Sequence, residues 1–248
     1  MANTIEYGQG AVNNTIGWGQ GAKVGGSSFS NTLSTRFDGI DDFVDCGNPS
    51  SLQITSALSI SAWFKTSSTS AQVIVGKDGA SPNRSFLLFY STSSNTIKFI
   101  IFQGGSVNVT TSTSTVTDGN WHHVLAVNDG TDLKIYIDGV LENTNVGGGG
   151  SIDNTSAQFT IGKKERPTGD FFNGSVDEVA VWNSDQSANA SAIYNSGVPN
   201  DLASLSPVSW WRMGDGDTFP TLTDNGSGGN DGTMTNMTSG NIVSDVPT

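Results

Sequence analysis

The chain is 248 residues long, a length that one all-β domain can fill, and its 31 glycines and 14% charged residues suit short strands joined by tight turns. Its 23 acidic and 11 basic residues give a net charge of −12, which argues against the cationic surface that nucleic acid requires and suits divalent cations or neutral glycans as partners, the alternative being that it serves solubility alone. A single cysteine, Cys46, excludes an intrachain disulfide, no apolar run reaches the length of a membrane span, and the first residues carry neither the basic nor the apolar region of a secretion signal, so no membrane insertion is expected.

The first 30 residues differ in texture from the rest. Ile5-Glu6-Tyr7-Gly8-Gln9-Gly10-Ala11 recurs 11 residues later as Ile16-Gly17-Trp18-Gly19-Gln20-Gly21-Ala22. Glycines allow close backbone approach, and each copy offers one aromatic to bury. Such a segment has no core of its own. Residues 1–30 are therefore expected to form an anchoring arm that docks on the domain or on another subunit through Tyr7, Gln9, Trp18 and Gln20. The plainer alternative is a flexible leader.

Residues 31–248 are expected to form one domain. Period-2 alternation bounded by turn clusters predicts strands over 35–37, 42–45, 58–65, 72–77, 86–91, 96–103, 106–111, 121–128, 133–137 and 159–163, followed by 176–183 and 208–213. Hairpin dipeptides sit between them, among them Gly104-Gly105, Asp129-Gly130 and Asp138-Gly139. One helical stretch is predicted over 187–194, where Ala188, Ala190 and Ala192 give propensity and Gly197 and Pro199 a stop. The fold class is all-β, an antiparallel meander with Greek-key potential.

Several segments resemble the laminin-G-like branch of the concanavalin-A-like lectin and glucanase jelly rolls. Phe37-Asp38-Gly39-Ile40-Asp41-Asp42-Phe43-Val44 is similar to the opening strand pair of that family, and Leu58-Ser59-Ile60-Ser61-Ala62-Trp63-Phe64-Lys65 to the strand that follows. Asp118-Gly119-Asn120-Trp121-His122-His123-Val124 and Leu133-Lys134-Ile135-Tyr136-Ile137-Asp138-Gly139 resemble its central hairpin, and Phe172-Asn173-Gly174-Ser175-Val176-Asp177-Glu178 runs into its late strand. Trp210-Trp211-Arg212-Met213 with the segment 222–233 resembles what usually opens such domains, yet here it lies last. This implies a circularly permuted antiparallel jelly-roll sandwich closed by residues 205–240, the alternative being a truncated second repeat. The Gly-rich arm, the jelly roll and the Trp-Trp-Arg-Met tail together resemble virion proteins of tailed bacteriophages.

Catalytic patterns are missing. His122 and His123 are neighbours on a strand and face opposite ways, as Asp177 and Glu178 are expected to do. Nothing reproduces the alternating carboxylates of retaining glucanases, and no enzymatic activity is expected. The resemblance implies calcium as cofactor, because in the family the early Asp-Gly turn and the late-strand aspartate approach each other; Asp38, Asp42 and Asp177 are the expected ligands. The alternative is that these residues only make Asx turns, and Asp215, Asp217, Asp224 and Asp231 are open to the same two readings. Trp63, Trp121 and Trp182 are expected in the core, and one of Trp210 and Trp211 is expected to face out or to cover an edge. The implied function is a phage virion structural or decoration protein, made in the host cytoplasm and extracellular once released. It would assemble as a homo-oligomer with other virion subunits and engage host or environmental polysaccharide. A stand-alone carbohydrate-binding adhesin is the second reading and a glycoside hydrolase the third.

Overall fold

The structure is a computed structural model that describes residues 29–165 and 170–248. The chain divides into two units, Met1–Ser30 and Asn31–Thr248, and the second carries every strand and helix named below. Tyr7, Gln9, Trp18 and Gln20 lie outside the described residues.

Among the described residues sixteen strands follow in chain order: β1 (Ser34–Asp38), β2 (Phe43–Asp45), β3 (Leu58–Lys65), β4 (Gln72–Asp78), β5 (Arg84–Ser91), β6 (Thr96–Gln103), β7 (Ser106–Thr111), β8 (Trp121–Asn128), β9 (Leu133–Ile137), β10 (Val140–Asn145), β11 (Thr160–Ile161), β12 (Asn173–Trp182), β13 (Ser209–Trp211), β14 (Thr221–Leu222), β15 (Gly232–Thr235) and β16 (Ile242–Val243). They form two antiparallel sheets. The first runs β10-β9-β8-β3-β12-β1-β16, with β13 also on β12, and the second runs β14-β15-β2-β11-β4-β5-β6-β7. Alternate residues of facing strands fill the space between the sheets, among them Phe37, Ile60, Phe64, Phe86, Phe99, Val124, Phe159 and Trp211. Each such side chain contributes about 1.5–3 kcal/mol of burial free energy. This is the expected jelly-roll sandwich.

Local chemistry sets the connections. The β9–β10 hairpin places Asp138 (φ 50) and Gly139 (φ 76) between the paired residues Ile137 and Val140, a two-residue loop of the kind that positive φ makes possible. Along one side of the sandwich, β10 meets β7 without a ladder: the Asn143 and Asn145 amides donate to the Thr111 and Val109 carbonyls, each at 2.9 Å. These bonds cover two free edges that would otherwise present unpaired backbone.

Residues expected to close the roll serve both sheets. β13 pairs with Val179–Val181 of β12, beyond the stretch that β1 uses, while β15 pairs with β2. β16 then pairs with β1. The predicted helix is a 3-10 turn, Ser187–Asn189, continued by α1 (Ala190–Tyr194).

The expectations about tryptophan hold in part. Trp63 and Trp182 are buried, but on the outward face of the first sheet, because Leu58, Ile60, Ala62 and Phe64 already take the inward positions of β3. The segment after β12 covers them: Tyr194 of α1 stacks on Trp63 at 5.5 Å, and the Trp182 indole donates to the Leu205 carbonyl at 3.0 Å. Trp121, the first residue of β8, is only half-buried, since this cover stops short of it. Trp210 and Trp211 are both buried. Trp211 stacks on Phe159 inside the sandwich, and on the other face Trp210 donates to the Glu178 carboxylate.

Candidate functional site

At one end of the sandwich three clefts adjoin, of about 330, 360 and 400 Å³, and Asn173 lines all of them. Their walls come from the end of β1, the start of β12, the end of β3 and the loop into β4. Gly174 makes this convergence possible. Its φ is 148, and a Cβ there would lie 2.0 Å from the Lys65 carbonyl oxygen, so only glycine lets β12 start this close to β3.

The first cleft lies on the outward face of the first sheet between Arg36, Ser175 and Lys65. The second is bounded by Ile40, Ser68, Ser70 and Asp170. The third lies between Arg36, Asp38, Thr238 and Asn241. Amides, hydroxyls and charged groups therefore dominate the rim, with Ile40, 72% exposed, as an apolar contact beside them.

The turn after β1 is built by its own acids. The Ile40 and Asp41 N–H groups donate to Asp38 Oδ1 at 2.8 and 3.3 Å, an Asx turn. Asp42 is buried and accepts from the Asp38 N–H at 3.1 Å and the Asn241 amide at 3.0 Å. Burial, then the nearby Asp38 carboxylate, push the Asp42 carboxyl above its ordinary range. Asp38, Asp41 and Asp42 each place a carboxylate oxygen within 4.8 Å of the others. This all-oxygen set has the chemistry of a calcium ligand group.

Asp177, expected to complete that group, lies elsewhere. In the β1–β12 ladder Asp38 faces Asn173 and Thr35 faces Val176, which puts Asp177 several residues along the strand. Its carboxylate accepts from the Asn31 amide and the Glu178 N–H, each at 2.8 Å. The expectation that Asp177 and Glu178 face opposite ways also gives way: a β-bulge falls here, with Glu178 at φ 47, and it breaks the alternation. Both acids are buried. Glu178 accepts from Arg212 Nε at 3.1 Å. Burial carries the Glu178 carboxyl up to about 7 against the pull of Arg212 and Trp210, while burial and Glu178 raise Asp177 well above the usual range. Neither acid lines any of the three clefts.

The other sequence candidates serve the fold. Asp224 accepts from the Trp210, Gly226 and Asn230 N–H groups, and Asp231 from the Asp224 N–H. Asp215 accepts from the Thr32 and Leu33 N–H groups, and Asp217 from those of Gly214 and Thr223. His123 is buried against Ser61, with 2.8 Å between His123 Nε2 and Ser61 Oγ, and His122 bridges Asp138 and Asp118 at 2.9 and 3.1 Å. Sequence reasoning missed Arg36, Lys65 and Asn173 as site residues. Their one available signal was position, at the ends of three strands that become neighbours only in the sheet.

Solved structures of similar fold include a candidate carbohydrate-binding protein from Bacteroides ovatus, at 19% identity and a TM-score of 0.66, over 88% of this chain and 62% of that protein. The chain thus spans less than two thirds of that protein's length. The heptameric SAP-like pentraxin of Limulus polyphemus matches at 17% identity and a TM-score of 0.50, over 66% of this chain and 82% of the pentraxin. The CBM40 domain of Ruminococcus gnavus IT-sialidase, solved with α2,3-sialyllactose bound, matches at 15% identity and a TM-score of 0.50, over 66% of this chain and 100% of that one. At these identities the likeness is one of fold. No curated protein sequence matches the chain. The sequence model of the concanavalin A-like lectin/glucanases superfamily matches residues 8–190, and the chain belongs to that superfamily.

Proposed function

We propose that the domain is a carbohydrate-binding module that holds glycans at the rim around Asn173 and does no chemistry on them. The observation that carries this reading is the meeting of three polar clefts on one side chain, since amides, hydroxyls and charged groups are what sugar hydroxyls bond to. The carbohydrate-binding description of the Bacteroides ovatus protein and the sialyllactose bound to the CBM40 domain support it by analogy of fold. Non-catalytic action is supported by the burial of the Asp177 and Glu178 pair away from every one of these clefts.

Calcium is the cofactor of this reading, held by Asp38 and Asp42 together with Asp41, without Asp177. The ion would neutralise acids that repel one another and fix the turn that forms one wall of the rim. A glycan array run with calcium and with chelator tests the module. Binding that Asn173→Ala weakens at least tenfold is the expected result, and no binding under either condition would overturn it.

A second, finer reading is favoured by the repeated aromatic-Gly-Gln-Gly-Ala segment in Met1–Ser30, a unit separate from the domain. In this reading the chain is a phage virion structural or decoration protein, homo-oligomeric, extracellular when the particle is released, with the arm fastening the module to other subunits. Deleting residues 1–26 should then abolish assembly into particles while the domain stays folded. Absence of the protein from purified virions would overturn this reading.

A further inference from the structure

We propose that the cleft between Arg36 and Lys65 recognises a carboxylated sugar, and that the Asp245 carboxylate is a displaceable occupant of that site. The proposal rests on the carbohydrate-binding reading and assigns it a ligand class.

Four strands supply the site. Arg36 pairs with Ser175, Ser175 with Lys65 and Lys65 with Trp121. Residues in one such row emerge from the same face, and at about 4.8 Å between strands the row spans about 14 Å. The face is the outward one, because Thr35, Phe64, Val176 and Phe37, their neighbours along the strands, point inward or are buried. In a chain with only 11 basic residues and a net charge of −12, two cations in one cleft of about 330 Å³ are a local exception. That volume lies within the range of small-ligand sites.

A carboxylate already stands in the cleft. Asp245 accepts from Lys65 Nζ at 3.0 and 2.9 Å and from the Trp121 indole N–H at 3.2 Å. Its own chemistry shows which group these donors accept. The grip is weak, since the Lys65 and Asp245 side chains are 33% and 47% exposed and exposed ion pairs contribute little. Asp245 is tethered through its carbonyl, which accepts from Ser34 Oγ at 2.7 Å, and through β16. A ligand carboxylate would replace like with like, leaving the charge balance of Lys65 unchanged.

Arg36 supplies what Asp245 does not use. It is exposed, and among the described residues its guanidinium has no hydrogen-bond or ion-pair partner. A guanidinium fork binds carboxylates in paired geometry. Trp121 does not line the cleft, but through its bond to Asp245 it stands beside it, and its half-buried ring is an apolar surface within reach of a sugar bound there. The overall charge of −12 repels dense polyanions, so the ligand fitting both facts is a short or sparsely charged glycan with a carboxylated sugar. An acidic peptide offers a carboxylate but no ring for Trp121.

Calorimetric titration of the full chain with digalacturonate, neutral galactobiose and an aspartyl peptide tests this. Digalacturonate should bind at least tenfold more tightly than the other two. Asp245→Asn should raise its affinity severalfold, while Arg36→Gln and Lys65→Gln should each lower it at least tenfold, with unchanged melting temperatures. Arg36→Lys, which keeps the charge without the fork, should recover part of the loss. Equal affinity for galactobiose or for the peptide would overturn the ligand class, and an Asp245→Asn affinity that is unchanged or lower would overturn the displaced carboxylate. Digalacturonate binding that ignores Arg36→Gln and Lys65→Gln would overturn the site. If neutral glycans bind and digalacturonate does not, this inference fails alone; if no glycan binds, the carbohydrate-binding reading fails with it.

Discussion

His122 and His123 meet different environments because successive residues leave a strand on opposite faces. Burial lowers the His123 imidazole to about 3, so it stays neutral beside Ser61. An unfolded histidine titrates near 6.5, so between these values the unfolded chain binds a proton that the native one does not. Stability therefore rises with pH across that window, by about 1.4 kcal/mol per unit, and is lost on acidification. We expect His123→Gln, which can still bond Ser61, to flatten the urea midpoint between pH 4 and 6.5; a profile as steep as the parent's would mean that the native imidazole takes up the proton. His122 has the opposite sign, since Asp138 and then Asp118 raise it. Its contribution is complete below 6.5 and is lost as pH rises through the raised native value. The opposed faces were legible in the sequence. The partners were not, because Asp118 and Asp138 come from turns that meet only after β8 and β9 pair.

Among elements, α1 and the segment around it matter more than their length suggests. They turn the middle of the first sheet from a half-exposed surface into one buried on both faces, which is why Trp63 and Trp182 carry no clean alternation signal. The helix itself was legible from its alanines and its glycine-proline stop. What it covers was not, since nothing in residues 187–194 specifies a sheet face. Trp182→Ala should cost about 3–5 kcal/mol in chemical denaturation, because it removes a buried indole and orphans the Leu205 carbonyl. Tyr194→Ala, on a less buried side chain, should cost about 1–2 kcal/mol, and a larger loss for Tyr194 than for Trp182 would reverse this account. Likewise the bulge at Glu178 was invisible to a period-2 reading, which carries no term for one residue held at positive φ.

For the whole molecule, the alternation of strands and the Gly-bearing turns made the sandwich legible from residues 33–161 except for β10, whose largely exposed side chains give no alternation, and β14, β15 and β16 escaped as well. The last three are two to four residues long, too short for a periodic signal. The rim escaped for a related reason: Arg36, Lys65 and Asn173 are far apart in sequence and become neighbours through sheet order alone. Calcium gives a test at this scale. A ligand that binds only the native state stabilises it by about 2.7 kcal/mol at one hundred times its dissociation constant, so millimolar calcium should raise the melting temperature by several degrees. Asp42→Asn should remove the effect, and magnesium should not reproduce it, because it resists giving up its water shell. A shift that survives in Asp42→Asn would place the ion elsewhere.

The two-residue β16 has a dynamic consequence. Its ladder to β1 consists of the Ile242 and Val243 pairs, and both residues are only half-buried, so its opening free energy belongs at the low end of the range seen in native proteins. The strand can detach and return while β1 keeps its ladder to β12. Its amides should therefore exchange with deuterium well before those of β12, and each such opening would carry Asp245 away from Lys65 and Trp121 while the β1–β12 ladder stays in place.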